Sequence, residues 1–219
     1  MLGLATLTIG SLANADLVTD RATLDSAIAG LAPVTEHFEA LAQFSPFTIP
    51  PVLSSTPMVY SFGPGLIVPG VVVRDPAMGA LSWDGGGYYG LPSGAVLSND
   101  GTLELDFLTP TLGFGVSLLV YEGFGDSATV NVYGPDGQTL LASYSGINID
   151  SPLNPVFFGY DDANGIGKVQ ISSGYHTSSP IIDDLTFATA IPEPAAPAIA
   201  IIGLAFAVRE ARRKRVPEA

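Results

Sequence analysis

The chain has 219 residues, 47% of them hydrophobic and none of them cysteine, and carries 21 Asp and Glu against 8 Lys and Arg, a net charge of −13. The composition excludes disulfide and thiol chemistry, and the acid excess argues against a nucleic-acid partner, because phosphate is repelled. The charge is also unevenly spread. Arg209, Arg212, Arg213, Lys214 and Arg215 take five of the eight cations, so the segment from Asp16 to Ala190 keeps only Arg21, Arg74 and Lys168 against eighteen acids.

The first fifteen residues, MLGLATLTIGSLANA, are apolar from Leu2 to Ile9 and end in the small-x-small pattern Ala13-Asn14-Ala15. That is an h-region with a signal-peptidase site, and residues 1–15 are expected to be a signal peptide. Its positive n-region is missing, so a start upstream of Met1 is expected. A helix follows, with Asp20 or Thr23 as its cap, Leu24, Ile28 and Leu31 at helical spacing, and Gly30 and Pro33 at its end. An early strand then ends in Phe38-Glu39. The stretch from Phe44 to Tyr89 is weakly patterned, with two or three strands and long loops expected.

Beyond it, alternation becomes clear. Leu103-Glu104-Leu105-Asp106-Phe107 puts three apolar residues on one face and two acids on the other, and Ala128 to Tyr133 alternates likewise. Gly134-Pro135-Asp136-Gly137 then turns the chain into Gln138 to Tyr144, a hairpin whose Asp-Gly tolerates positive φ. Thr111 to Tyr121 is continuously apolar and reads as a central strand covered on both faces. Asp161-Asp162-Ala163-Asn164-Gly165 reads as an oxygen-rich turn between strands. It lacks the glutamate that closes an EF-hand. Lys168 to Ser172 and Ile181 to Phe187 are the last strands. Short alternating runs split by Gly and Pro predict an all-β sandwich with one short N-terminal helix over residues 16–190.

Catalytic patterns are scarce. No G-x-S-x-G, HExxH or P-loop occurs. His37 is expected to be an exposed strand histidine and His176 to sit solvated in a polar loop. A carboxylate pair for a secreted hydrolase is open among eighteen acids, but nothing singles one out. Asp183 is more informative. Strand parity places it with Ile181, Leu185 and Phe187 on the apolar face, where a carboxylate is costly without a partner. Two solutions stay open: a hard cation such as Ca²⁺ bound by oxygen ligands, or a place at the strand's rim hydrogen-bonded to a turn. Trp83 shares a Gly-rich stretch with Tyr88 and Tyr89. These aromatics either stack on sugar rings from a loop or plug the end of the sandwich.

The carboxyl end is built differently. Pro192-Glu193-Pro194 is followed by an uncharged run, about 195–208, and by the basic residues 209–215. Fourteen residues of helix span roughly 21 Å, short of a hydrocarbon core of about 30 Å. Snorkelling Arg and Lys side chains extend that reach, and a single transmembrane helix with its basic end in the cytoplasm is expected.

This order resembles the PEP-CTERM sorting signal, here residues 191–219. The resemblance implies recognition by exosortase, transient anchoring in the inner membrane and later delivery to the cell surface or exterior. It implies a non-enzymatic exported protein linked to exopolysaccharide or biofilm. The body resembles carbohydrate-binding-module jelly rolls through Phe38-Glu39, the stretch LDFLTPTLGFGVSLL and the final IIDDLTF. That likeness implies a polysaccharide partner and a structural Ca²⁺ held by Glu39 and Asp183.

Overall fold

The computed structural model describes residues 15–43, 52–55, 61–62, 66–77, 79, 81–84, 91, 93–98, 100–121, 127–148, 155–174 and 179–189. The chain divides into two compact units, Met1–Thr189 and Ala190–Ala219, and the second lies outside the described residues. Among the described residues no helix is long and apolar enough to cross a membrane. The helix expected near 195–208 is not among them.

Twelve strands are described: β1 (Asp16–Val18), β2 (Val34–Glu36), β3 (Val52–Ser54), β4 (Ser61–Phe62), β5 (Val71–Arg74), β6 (Leu81–Asp84), β7 (Ala95–Ser98), β8 (Thr102–Tyr121), β9 (Ser127–Tyr133), β10 (Leu140–Asn148), β11 (Val156–Ser173) and β12 (Ser179–Thr189). They hydrogen-bond in the order β10-β9-β11-β8-β12-β7-β6. β5 also borders β8, β3 borders β5, β4 borders β3, β1 borders β11 and β2 borders β12.

Two long strands turn this sheet into a sandwich. The first part of β8 pairs with β5 over Glu104–Phe107, and its later part pairs with β12 from Thr111 to Tyr121. β11 runs antiparallel beside β8 throughout, with a break in register between Asp161 and Ile166. The two parts of the sheet then face each other across one core. Phe107 lies 5.5 Å from Phe187 and 6.1 Å from Phe114, and Tyr144 of β10 meets Phe158 of β11 at 5.5 Å. Leu103, Leu105, Phe107, Val130, Val132, Val169 and Ile171 all point into that core, as their alternation predicts.

The oxygen-rich segment after Tyr160 is therefore a bulge inside one strand, not a turn between two strands. Gly165 sits at φ +94° with the Pro110 ring at 3.0 Å from where a Cβ would stand, a conformation and a fit that only glycine meets without strain. The early strand also differs from expectation. β2 stops at Glu36, because Phe38 takes a left-handed φ of 55° and the Glu36 carboxylate turns back to accept the Phe38 and Val68 amides. Glu39 opens a 3₁₀ turn, Glu39–Gln43, instead of ending a strand. Among the described residues between 44 and 89 there are four short strands, β3 to β6, where two or three were expected.

Helix α1 (Arg21–Ile28) forms where the sequence indicates. Asp20 is its cap, accepting the Thr23 amide at 2.8 Å and the Thr23 hydroxyl at 2.7 Å. Chain reversal falls on Ala32, left-handed at φ 53°, after a 3₁₀ turn Ala29–Leu31 that takes in Gly30. Leu24 and Ile28 are fully buried on the outer face of β8. They fit because that face is glycine: a Cβ on Gly115 would stand 2.5 Å from Leu24 Cδ2, and one on Gly113 would stand 2.8 Å from Ile28 Cγ2. The central strand is thus covered on both sides, by the core and by the helix.

Candidate functional site

On the first part of the sandwich, each strand that sends its apolar residues inward sends polar ones outward. Register aligns them into a row. Arg74 stands opposite Glu104, Glu104 opposite Gln170, Gln170 opposite Asn131, and Asn131 opposite Ser143. The side chains link up in the same order. Ser143 Oγ donates to Asn131 Oδ1 at 2.7 Å, Asn131 Nδ2 to Gln170 Oε1 at 3.5 Å, and Gln170 Nε2 to Glu104 Oε1 at 3.0 Å. Arg74 Nη2 closes the row on Glu104 Oε2 at 2.8 Å.

A second row lies beside it, with Asp106 opposite Lys168 and Lys168 opposite Tyr133. Arg74 Nε approaches Asp106 Oδ2 at 2.6 Å as an ion pair without hydrogen-bond alignment. The Lys168 ammonium sits 4.6 Å from the Tyr133 ring centroid and 3.8 Å from Glu104 Oε1. Burial raises the Asp106 carboxyl above the usual range in spite of Arg74. Five strands at about 4.8 Å spacing make this row roughly 19 Å wide. It offers amide, hydroxyl, carboxylate and guanidinium groups on a half-exposed sheet face.

The far corner of the sandwich gathers a different set. β12 breaks register against β8 between Asp183 and Thr186, and Asp184 adopts a left-handed φ of 51°. This kink turns the two neighbouring carboxylates different ways. Asp184 Oδ1 meets exposed His37 Nδ1 at 2.5 Å. Asp183 is 0% exposed: its Oδ1 accepts from Ser93 Oγ and from the Asp184 amide, both at 2.6 Å, while its Oδ2 is buried with no partner among the described residues. Burial raises the Asp183 carboxyl above the usual range, against the bond from Ser93. The next residue, Gly94, donates its amide to Glu39 Oε1 at 3.2 Å, so Asp183 and Glu39 converge on one dipeptide.

Asp183 therefore lies on the buried face that parity assigned it. It also bonds to a serine outside the strands, as the rim alternative held. His37 is exposed but follows β2 instead of lying within it. Asp184 stands between His37 and Ser93, whose Oγ is 3.5 Å from Asp184 Oδ1. The hydroxyl proton thus points at carboxylates, and no imidazole–hydroxyl pairing of the kind that activates a serine is described. Among the described residues no group of three or more His, Asp or Glu side chains is arranged to hold a metal ion. The one observation here that suits a cation is Asp183 Oδ2, a buried carboxylate oxygen without a partner among the described residues, of the kind that Ca²⁺ takes as a ligand.

Trp83 is corrected outright as a loop aromatic. It lies in β6, 8% exposed, with its indole against Gly94, whose Cβ would stand 2.8 Å from Nε1. Apolar packing on β7 outweighed the glycines that follow it in sequence. Tyr88, Tyr89 and His176 lie outside the described residues, as do Ala13, the motif Pro192, Glu193 and Pro194, and Arg209, Arg212, Arg213, Lys214 and Arg215. Ala15 is exposed just before β1. Each strand's sequence shows only its own alternation; the alignment of the polar rows needs the register.

No protein-family model and no curated protein matches the sequence. Among solved structures, TmCBM61 in complex with β-1,4-galactotriose is similar at 17% identity and a TM-score of 0.37, over 54% of this chain and 88% of that one. The CBM22-1–GH10 modules of Clostridium thermocellum endo-1,4-β-D-xylanase 10B, complexed with xylohexaose, are similar at 12% identity and a TM-score of 0.37, over 58% of this chain and 27% of that one. The K2 cleaved adhesin domain of Lys-gingipain is similar at 16% identity and a TM-score of 0.32, over 72% of this chain and all of that one. Identities and superpositions at this level assign no ligand and no activity to the chain.

Proposed function

We propose that the protein is an exported, non-enzymatic β-sandwich that binds polysaccharide on its polar sheet face. The supporting observation is the side-chain row from Ser143 to Arg74. Sugars present closely spaced hydroxyls that both donate and accept, and a line of amide and carboxylate groups matches that chemistry over several residues of a chain. The Tyr133 ring beside Lys168 adds an apolar patch for a sugar face.

In this reading the leader 1–15 exports the chain, and residues 191–219 anchor it in the inner membrane until exosortase processes the Pro192-Glu193-Pro194 tail. Glu39 and Asp183 hold a structural Ca²⁺, which supplies the positive charge that Asp183 lacks and ties the 3₁₀ turn Glu39–Gln43 to β12.

A glycan array with the full chain tests the binding reading, with Asn131→Ala/Gln170→Ala as the altered face. Binding to an extended polysaccharide that falls at least tenfold in the double variant, under conditions where the variant remains folded, is the expected result. Equal binding by both proteins, or none by either, removes it. Mass spectrometry of the mature protein tests the sorting reading separately, since material at the surface that retains Arg212 to Arg215 contradicts it.

A further inference from the structure

The eighteen acids between Asp16 and Ala190 share three basic side chains, and each of the three is engaged with groups other than Asp161. Arg21 donates to Thr186 Oγ1 at 2.6 Å and to the Asp184 carbonyl at 2.7 Å. Arg74 and Lys168 belong to the polar rows. Yet Asp161 is only 7% exposed, with Asp16 opposite it in register and Asp162 next in sequence. Burial, and after it the neighbouring acids Asp162, Asp161 and Asp16 together with Tyr144, pushes the adjacent Tyr160 phenol up to about 12. Tyr144 is raised by burial and by Asp16. Asp161 itself is raised, first by burial and also by Asp16 and Asp162. No basic side chain pairs with it among the described residues.

One group does reach it. The main-chain nitrogen of Asp16 donates to Asp161 Oδ1 at 3.3 Å. Asp16 is the first residue of β1, held by pairing of Asp16, Leu17 and Val18 with Asp161, Tyr160 and Gly159. It is also the residue that follows Ala13-Asn14-Ala15. We propose that cleavage after Ala15 turns this nitrogen into an α-ammonium that forms an ion pair with the Asp161 carboxylate, so that processing completes the charge balance of the fold. Hydrolysis of the Ala15–Asp16 peptide bond adds water across it, leaving a carboxylate on Ala15 and the protonated amine on Asp16. An amide offers one N–H dipole, whereas the ammonium offers a full charge and three donors. Position is decisive. Cleavage after Ala13 would set the charge two residues, or about 7 Å, farther along an extended chain. The proposal rests on the leader reading, and its two parts fail separately.

The chain from Asp16 to Ala219 is prepared with a free amine by removing an upstream fusion, and again with Ala15 retained or with the amine acetylated. Each form is made with Asp161 and with Asp161→Asn. The free-amine form is expected to melt about 2–4 °C above the other two, the shift a domain of this size shows for one part-buried ion pair. That gap should close in Asp161→Asn. The α-amine should titrate roughly half a unit or more above its usual ~7.7–8.0. Equal melting of the three Asp161 forms, or an amine titrating at its usual value, overturns the ion pair whether or not the Asn variant folds. A mature exported protein that begins anywhere but Asp16 overturns the processing step instead.

Discussion

Glu104 and Asp183 are both buried strand carboxylates, 5% and 0% exposed, and they meet opposite surroundings. Glu104 has Arg74 at 2.8 Å, Lys168 at 3.8 Å and the Gln170 amide at 3.0 Å, a set that answers both of its oxygens. Asp183 has a serine hydroxyl and an amide on one oxygen and, among the described residues, no partner on the other. With three basic residues in the whole body, the chain can neutralise one such site with its own side chains, and it does so on the sheet face. The face thus carries its own counter-charge, whereas burial at the corner favours the protonated Asp183.

The largest expected effect breaks the satisfied side. Arg74→Met leaves Glu104 Oε2 without its ion pair, with only Lys168 and the Gln170 amide on Oε1, and is expected to cost about 2–3 kcal/mol in urea unfolding, a figure kept low because Arg74 is itself partly exposed. Arg74→Met/Glu104→Gln should recover most of that loss. Ser93→Ala removes the side-chain donor to Asp183 and should cost about 1–2 kcal/mol in chelator-treated protein. If it costs nothing, Asp183 is not held as described.

Asp183→Asn sharpens the contrast through pH. The Asp183 carboxyl is raised on folding, so between its unfolded and folded values the native state binds more protons. Stability from this group is therefore full at acid pH and declines as pH rises through the folded value. The Asn variant should lose that decline in chelator, and should also lose any Ca²⁺-dependent rise in melting temperature. Persistence of the Ca²⁺ effect in the variant would remove Asp183 from the cation's ligands. The smallest effect is expected at Asp136, fully exposed in the hairpin turn. The Thr139 hydroxyl and then the Thr139 and Gln138 amides hold its carboxyl down at about 2. Its contribution is present above the usual carboxylate value of ~3.9 and fades as pH falls toward that lower one. Asp136→Ala should lower the neutral part of the stability curve slightly and flatten its acid limb, so that variant and parent converge at low pH.

Much of this was legible from residues alone. Alternation marked β9, β12 and the first part of β8, Asp-Gly marked the hairpin, Asp20 the helix, and parity the burial of Asp183. What escaped was long-range. The sequence gives no sign that Leu103–Phe107 and Thr111–Tyr121 are one strand, because Pro110 between them reads as an interruption. It sits instead at the bend, beside the bulge that Gly165 allows. Trp83 was misplaced because the glycines after it outweighed, on paper, the partner strand before which it packs. The polar rows depend on which strands become neighbours, a matter of topology that no single strand encodes.

The two long strands carry a mechanical implication. Since β8 and β11 each run through both halves of the sandwich, peeling one half away breaks the backbone ladder that continues into the other. The amides of β8 and β11 should therefore lose protection together in both halves, while the short flanking strands open earlier and on their own.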